Sequence, residues 1–347
     1  MPLYDFPIWA GDSQRFPTVG IRGIDWKLMT VEVPYSRHGS KAWNRHFTAM
    51  RKKYPRYSVL TLVDSGLKSI PRIAPQIIAE AKSRRTAQKA FELLATAICI
   101  LDGCIIFSVE DAIVVPRDRS KLEGLSADTV IAASHRTWSR DNVILSSKFA
   151  AALSRRRFLS YAAFKLRLSY EIASVPWMDL HPGYYPKSFG VSRLLSEHVR
   201  MASAITLAYS AIEELQLEPR PQKGGSVKVK GVWDPAALID IQRRLREARI
   251  DLAESIVWTV RGSQTRIHKS DRAPDGSKLS WTKQGVRDRA VKIEDALVAA
   301  SWLRSKCTTH RYGKQTASIS MYDVSNVQNL ARRLLLGSTG MWSQLMA

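Results

Sequence analysis

Apolar and polar positions alternate along the first third of the chain in a way that predicts strands mixed with helices. Ile24–Val33 and Tyr57–Val63 combine β-branched and aromatic residues, as strands do. Ile73–Lys82 and Thr86–Leu101 carry apolar residues at helical spacing. Asp102-Gly103 reads as a turn. Cys104–Val109 and Ala112–Val115 read as a short hairpin, and the polar Pro116–Gly124 as a loop. Residues 1–135 are therefore expected to form a mixed α/β region.

From about Ser134 the period becomes helical. Asn142–Tyr170 carries the apolar residues Ile144, Leu145, Phe149, Ala152 and Leu153, then Phe158, Ala162, Leu166 and Tyr170. Val175–Phe189, rich in Pro and Gly, reads as an ordered loop. Ser192–Leu217 is the clearest helix, with Leu195, Val199, Ala202, Ile205, Tyr209, Ile212 and Leu215 on one stripe. Pro219–Val232 breaks the pattern. Asp234 is placed to cap a helix over Pro235–Ala248, with proline at its first position. Ile256–Val260 predicts a strand and Arg261–Ser280 a basic loop. Val286–Cys307 predicts a long helix, amphipathic from Val291 toward His310, and Val324–Leu336 predicts the last one. The expected class is α+β. A second region, 136–347, would hold a bundle of four helices (142–170, 192–217, 286–307 and 324–336) interrupted by a basic insertion, 219–285.

Charge narrows the function. The chain holds 53 Lys and Arg against 31 Asp and Glu, a net charge of +22. Such an excess repels itself in a compact state and fits a polyanionic partner, because each phosphate neutralised releases counterions. With 45% hydrophobic residues the chain is not a disordered basic tail. Three cysteines form no disulfide framework, and no Cys/His spacing suits zinc. No Gly-rich dinucleotide motif, P-loop or nucleophile elbow is present. No metal or cofactor is therefore expected. The first residues lack the basic and apolar regions of a signal peptide. The longest apolar run, Leu93–Leu101, falls short of the roughly 20 residues a membrane span needs. These points predict a cytoplasmic protein that is not embedded in a membrane.

Basic residues cluster in places where acids are sparse. Arg45, Arg51, Lys52 and Lys53 lie among Trp43, Phe47, Tyr54 and Tyr57. Arg155, Arg156 and Arg157 stand together on a predicted bundle helix. Lys228 and Lys230, then Arg261 and Arg266, punctuate the insertion. Basic side chains interleaved with aromatic ones can follow a phosphate backbone and stack unpaired bases. Any one patch also fits a solvated face over a core stripe.

Chemistry centres on Arg304 and His310, separated by five residues at the end of a predicted helix. A histidine can accept the proton of a ribose 2′-OH or protonate a leaving oxygen. A guanidinium can hold the phosphate as charge develops. On a continuous helix the pair would lie about 240° apart, so convergence needs the helix to end near Thr308-Thr309 or a second copy to complete the site. Arg193…His198 and Arg261…His268 are comparable pairs that context does not favour. Glu213 and Glu214, at a helix C-terminus, oppose its dipole and need compensation. A salt bridge to a bundle arginine, or orientation of Arg304 or His310, would supply it.

Residues 192–217, ending Ala-Tyr-Ser-Ala-Ile-Glu-Glu-Leu, and 286–336, with Trp302-Leu303-Arg304…His310-Arg-Tyr-Gly313, resemble the HEPN superfamily of helical domains. The resemblance covers about 190 residues and includes an insertion that compact members lack. It implies a HEPN-like bundle, an Arg-x(4–6)-His catalytic motif formed by Arg304 and His310, a two-fold homodimer, and metal-independent RNA cleavage in a toxin or anti-phage setting. The residue after the arginine, often Asn, Asp or His in active members, is Ser305 here. Two rivals share the same charge. One is a non-catalytic RNA-binding subunit of a ribonucleoprotein or guide-RNA complex. The other is a DNA-binding regulator, for which no recognition helix is evident. The N-terminal region would then sense, position or recruit a protein partner.

Overall fold

The structure, a computed structural model, describes residues 1, 3–9, 20–34, 73–103, 115–117, 140–173, 194–221, 225–229, 231–261, 286–308, 312–313 and 319–346. The chain is an α+β protein made of two compact units. One comprises Met1–Leu101 with Ile106–Arg155, the other Asp102–Ile105 with Arg156–Ala347. The helix at 140–154, expected in the bundle, belongs to the first unit.

The first unit is built on a five-stranded antiparallel sheet. Its strands are β1 (Leu3–Trp9), β2 (Gly20–Arg22), β3 (Trp26–Pro34), β4 (Ile73–Ala81) and β5 (Val115–Arg117), in the order β2-β3-β4-β1-β5. β3 matches the predicted strand. β4 corrects the helix expected over Ile73–Lys82. Pro75 does not by itself exclude a helix starting at Ile73, since proline is tolerated in a first turn. The segment instead pairs on both edges, from Trp26↔Ala81 to Pro34↔Ile73 with β3 and from Leu3↔Glu80 with β1. β5 takes Pro116 and Arg117 out of the expected loop. Pro116 is tolerated because this strand lies at the sheet edge. Leu28, Ile77, Ile78 and Ala79 are fully buried.

Helix α1 (Arg84–Asp102) is buried along the whole run Leu93–Leu101, as a helix apolar on all sides should be. It ends at Gly103, whose φ of 67° is the left-handed stop that glycine adopts without penalty. α2 (Arg140–Ser154) buries Phe149, Ala150 and Leu153. The strand Tyr57–Val63, the hairpin Cys104–Val109 and the loop Val175–Phe189 lie outside the described residues.

The second unit is mostly helical. The single helix expected over 142–170 is split, because Arg156 takes extended backbone (φ −140°, ψ 130°) before α3 (Arg157–Ile172) starts. The three adjacent arginines at this break are exposed. α3 packs on α4 (Leu195–Glu214), and α4 packs on α7 (Met321–Ser338). A buried polar knot ties the three together. Gln328 donates to Ser169 Oγ (2.9 Å) and to the Ala173 carbonyl (2.7 Å), and Ser169 donates to the Ala204 carbonyl (2.7 Å). The stripe on α4 is offset from the expected one. His198, Met201, Ala204, Ile205, Ala208, Tyr209 and Ile212 face inward, while Leu195 and Val199 are exposed.

The insertion contains the hairpin β6 (Lys228–Val229) and β7 (Val232–Trp233), α5 (Pro235–Glu247) and β8 (Ser255–Arg261). Asp234 caps α5 as expected, accepting from the Ala237 N–H at 2.9 Å. A second correction concerns Val286–Cys307. Its first seven residues form β9 (Val286–Lys292), paired with β8 from Arg261↔Val286 to Ser255↔Lys292. The helix α6 starts only at Ile293 and runs to Trp302. A π-helical segment, Leu303–Thr308, follows. α8 (Trp342–Met346) ends the described chain.

Candidate functional site

Arg304 sits within the π-helical segment, which packs against α4. Such wider turns are rare and often occur at functional sites, since they re-aim side chains that a regular helix would place elsewhere. Arg304 Nη2 lies 3.6 Å from Glu213 Oε1. Its guanidinium stands over the Tyr209 ring, 5.9 Å from the centroid. The Arg304 side chain is 40% exposed, so a solvent-borne anion can approach it.

Tyr209 is buried beneath it and hydrogen-bonds Ser301. Burial pushes the phenol up to about 12; the Ser301 bond opposes this, Glu213 and Glu218 add to it, and Arg304 opposes it in turn. Tyr209 is thus a neutral hydroxyl and an aromatic floor, not a base. One and two turns away, Thr206 and Thr308 share a hydrogen bond of 3.0 Å between hydroxyls. Thr308 also donates to the Arg304 carbonyl at 2.7 Å, which closes the widened turn. Farther along α4, His198 is buried and meets the exposed Tyr312 edge-on, with ring centroids 5.4 Å apart. Arg304, Thr308 and Tyr312 therefore meet α4 at Glu213, Thr206 and His198 in turn.

The neighbouring acid holds a different cation. Glu214 accepts from Lys165 Nζ at 2.7 Å, and Lys165 also donates to Ser210 Oγ at 2.8 Å. Adjacent carboxylates on one turn thus hold two cations, Arg304 and Lys165. They supply the compensation that acids at a helix C-terminus require.

The other candidates separate clearly. His310 lies outside the described residues, as do Arg45, Arg51, Lys52, Lys53, Lys230 and Arg266. Arg261 is described only in its backbone, as the end of β8. Arg155, Arg156 and Arg157 are exposed. Lys228 is committed elsewhere. It pairs with Asp295 at 2.6 Å, stacks 5.1 Å from the Trp233 centroid, and Trp233 donates to the same carboxylate. That cluster fastens the β6–β7 hairpin to the start of α6. Among the described residues no three His, Cys, Asp or Glu side chains gather as a metal site would, and no helix is long and apolar enough to cross a membrane.

Tyr209, Thr206, Ser301 and Thr308 are additions that sequence reading did not single out. Tyr209 was legible only as part of an apolar stripe. The chain matches no family model, no curated protein and no solved structure.

Proposed function

We propose that this protein binds RNA and cleaves it as a metal-independent endoribonuclease of defence or toxin type, through a HEPN-like helical unit. The observation that carries the reading is Arg304. It is a half-exposed guanidinium on a π-helical turn, braced by Glu213 and floored by Tyr209. In this reading Arg304 binds the non-bridging oxygens of the scissile phosphate and stabilises the charge that develops there. His310 removes the 2′-OH proton, and the 2′-oxygen attacks phosphorus. The bond to the 5′-oxygen breaks and that oxygen takes up a proton. The products are a 2′,3′-cyclic phosphate and a 5′-hydroxyl. Glu213 holds the guanidinium in place between encounters.

The test incubates the purified chain with end-labelled structured RNA in EDTA, beside Arg304→Ala and His310→Ala. Cleavage that yields cyclic-phosphate ends and that both substitutions abolish supports the reading. Cleavage that survives both places the chemistry elsewhere. The Glu213 contact also fits a second reading, in which Arg304 only fastens two helices of an RNA-binding subunit. RNA bound but uncut, with equal affinity in wild type and Arg304→Ala, supports that one.

A further inference from the structure

The exposed face of α3 carries an arrangement that the nuclease reading does not use. Phe158, Tyr161, Lys165 and Leu168 follow one another at three- and four-residue steps, which puts them on one side of the helix. The opposite side, Ala162, Ala163, Leu166 and Tyr170, is buried. Phe158 and Tyr161 are exposed, Tyr161 by 56%.

Each exposed ring has a cation beside it. Arg156 lies 5.9 Å from the Phe158 centroid, and Lys165 Nζ lies 4.6 Å from that of Tyr161. Arg157 adds a further exposed charge at the helix start. Exposed rings are costly to solvate, and rings flanked by cations suit a flat partner with negative charge along its edge.

Lys165 connects this face to the candidate site. It bonds Glu214 on α4, and Glu213, the next residue back, pairs with Arg304. Lys165 of α3 and the guanidinium of Arg304 therefore pair with adjacent residues of α4.

We propose that Phe158 and Tyr161 form a stacking platform for unpaired bases of single-stranded RNA, with the exposed Arg156 and Arg157 on its phosphates, and that the strand continues past the end of α4 toward Arg304. The proposal rests on the RNA-binding reading and names the form of RNA that the surface takes. Duplex RNA keeps its base faces covered and presents none to these rings. Stacking of one base on an aromatic side chain amounts to about tenfold in affinity, within the range found by alanine substitution.

The experiment uses the full chain carrying His310→Ala, so that no strand is cut and Arg304 keeps its phosphate contact. Fluorescence anisotropy compares a labelled 12-nucleotide oligouridylate with an RNA duplex of equal length. Tyr161→Ala and Phe158→Ala are expected to lower oligouridylate affinity about tenfold each and to leave duplex affinity unchanged. Tyr161→Phe keeps the ring and should keep the affinity. Thermal melting confirms that each variant is folded; both rings are solvent-exposed, so little change is expected. Unchanged oligouridylate binding in the double alanine variant overturns the platform alone and leaves the RNA reading standing. Equal losses on duplex and single strand do the same. Absence of binding to either RNA overturns both.

Discussion

Arg304 is held by a carboxylate that also competes with its proposed ligand. The Glu213 ion pair is long, at 3.6 Å, and both side chains are at least one-third exposed. Pairs of this kind contribute less than about 1 kcal/mol to stability. Glu213→Gln should therefore leave the melting temperature nearly unchanged. If Arg304 holds phosphate, removing that charge raises RNA affinity about two- to fivefold at low salt. It also slows single-turnover cleavage, because the guanidinium loses its brace. Measuring Kd and the cleavage rate in the same variant separates the two effects, and a large loss of stability with neither change would make the pair purely structural. A second titratable group bears on stability. Asp323 is fully buried, accepting from the Ser320 N–H and hydroxyl at 2.9 Å each, and burial pushes its carboxyl up to about 7 against those two bonds. A folded pKa above the unfolded value means the folded state holds its proton more tightly. That contribution is complete below pH 4 and is lost as pH rises to about 7. Between pH 5 and 8 the wild type should lose stability relative to Asp323→Asn, by on the order of a few kcal/mol at the upper end. Parallel melting curves across that range would count against it. Legibility differed between these residues for a physical reason. Glu213 and Glu214 announced a partner because acids at a helix C-terminus need one. Tyr209 did not, because a buried phenol and a buried apolar ring follow the same periodicity.

At the scale of elements, local pattern identified helices by their apolar stripes and failed where pairing across space decided. Asp234-Pro235 fixed the start of α5 to the residue, since cap and first-turn chemistry are local. Ile73–Ala81 and Val286–Lys292 became strands because a neighbour was available along their whole length, and β propensity follows that context more than the residue. The hairpin of β8 and β9 is then joined to α7 by one amide. Asn326 Oδ1 accepts from the Thr259 N–H and its Nδ2 donates to the Thr259 carbonyl, both at 2.8 Å, as a further strand would. Both Asn326 and Thr259 are buried. Asn326→Ala leaves two main-chain groups without partners and should cost about 2–4 kcal/mol. Asn326→Asp preserves the acceptor but sets a carboxylate against the Thr259 carbonyl, so it should not restore stability. Denaturant unfolding gives the cost, and faster hydrogen exchange at the Thr259 amide gives its location. A loss below about 0.5 kcal/mol would mean that water or a relaxed backbone replaces the amide.

For the whole molecule, a charge of +22 was visible at once, and it says nothing about where the charge acts. The unit boundary was less visible. It was expected near residue 135 and falls between Arg155 and Arg156, where the backbone turns extended and the arginine run separates α2 from α3. Apolar residues recur at helical spacing on both sides, so periodicity alone did not mark the break. Basic residues that looked alike in sequence now divide by their surroundings. Lys228 is paired, stacked and mostly buried, whereas Arg156 and Arg157 are exposed. That division has a thermodynamic signature. Each phosphate neutralised on a single strand contributes about 0.7 to the slope of log affinity against log salt. Arg156→Ala combined with Arg157→Ala should therefore reduce the slope by about 1.4, with little effect on melting. Lys228→Ala should leave the slope unchanged and lower stability, because Asp295 and Trp233 lose the cation that joins the β6–β7 hairpin to α6. Titrations of oligouridylate at several salt concentrations decide between them. A slope that falls with Lys228→Ala and not with the arginine pair would move the RNA path from the face of α3 to the insertion.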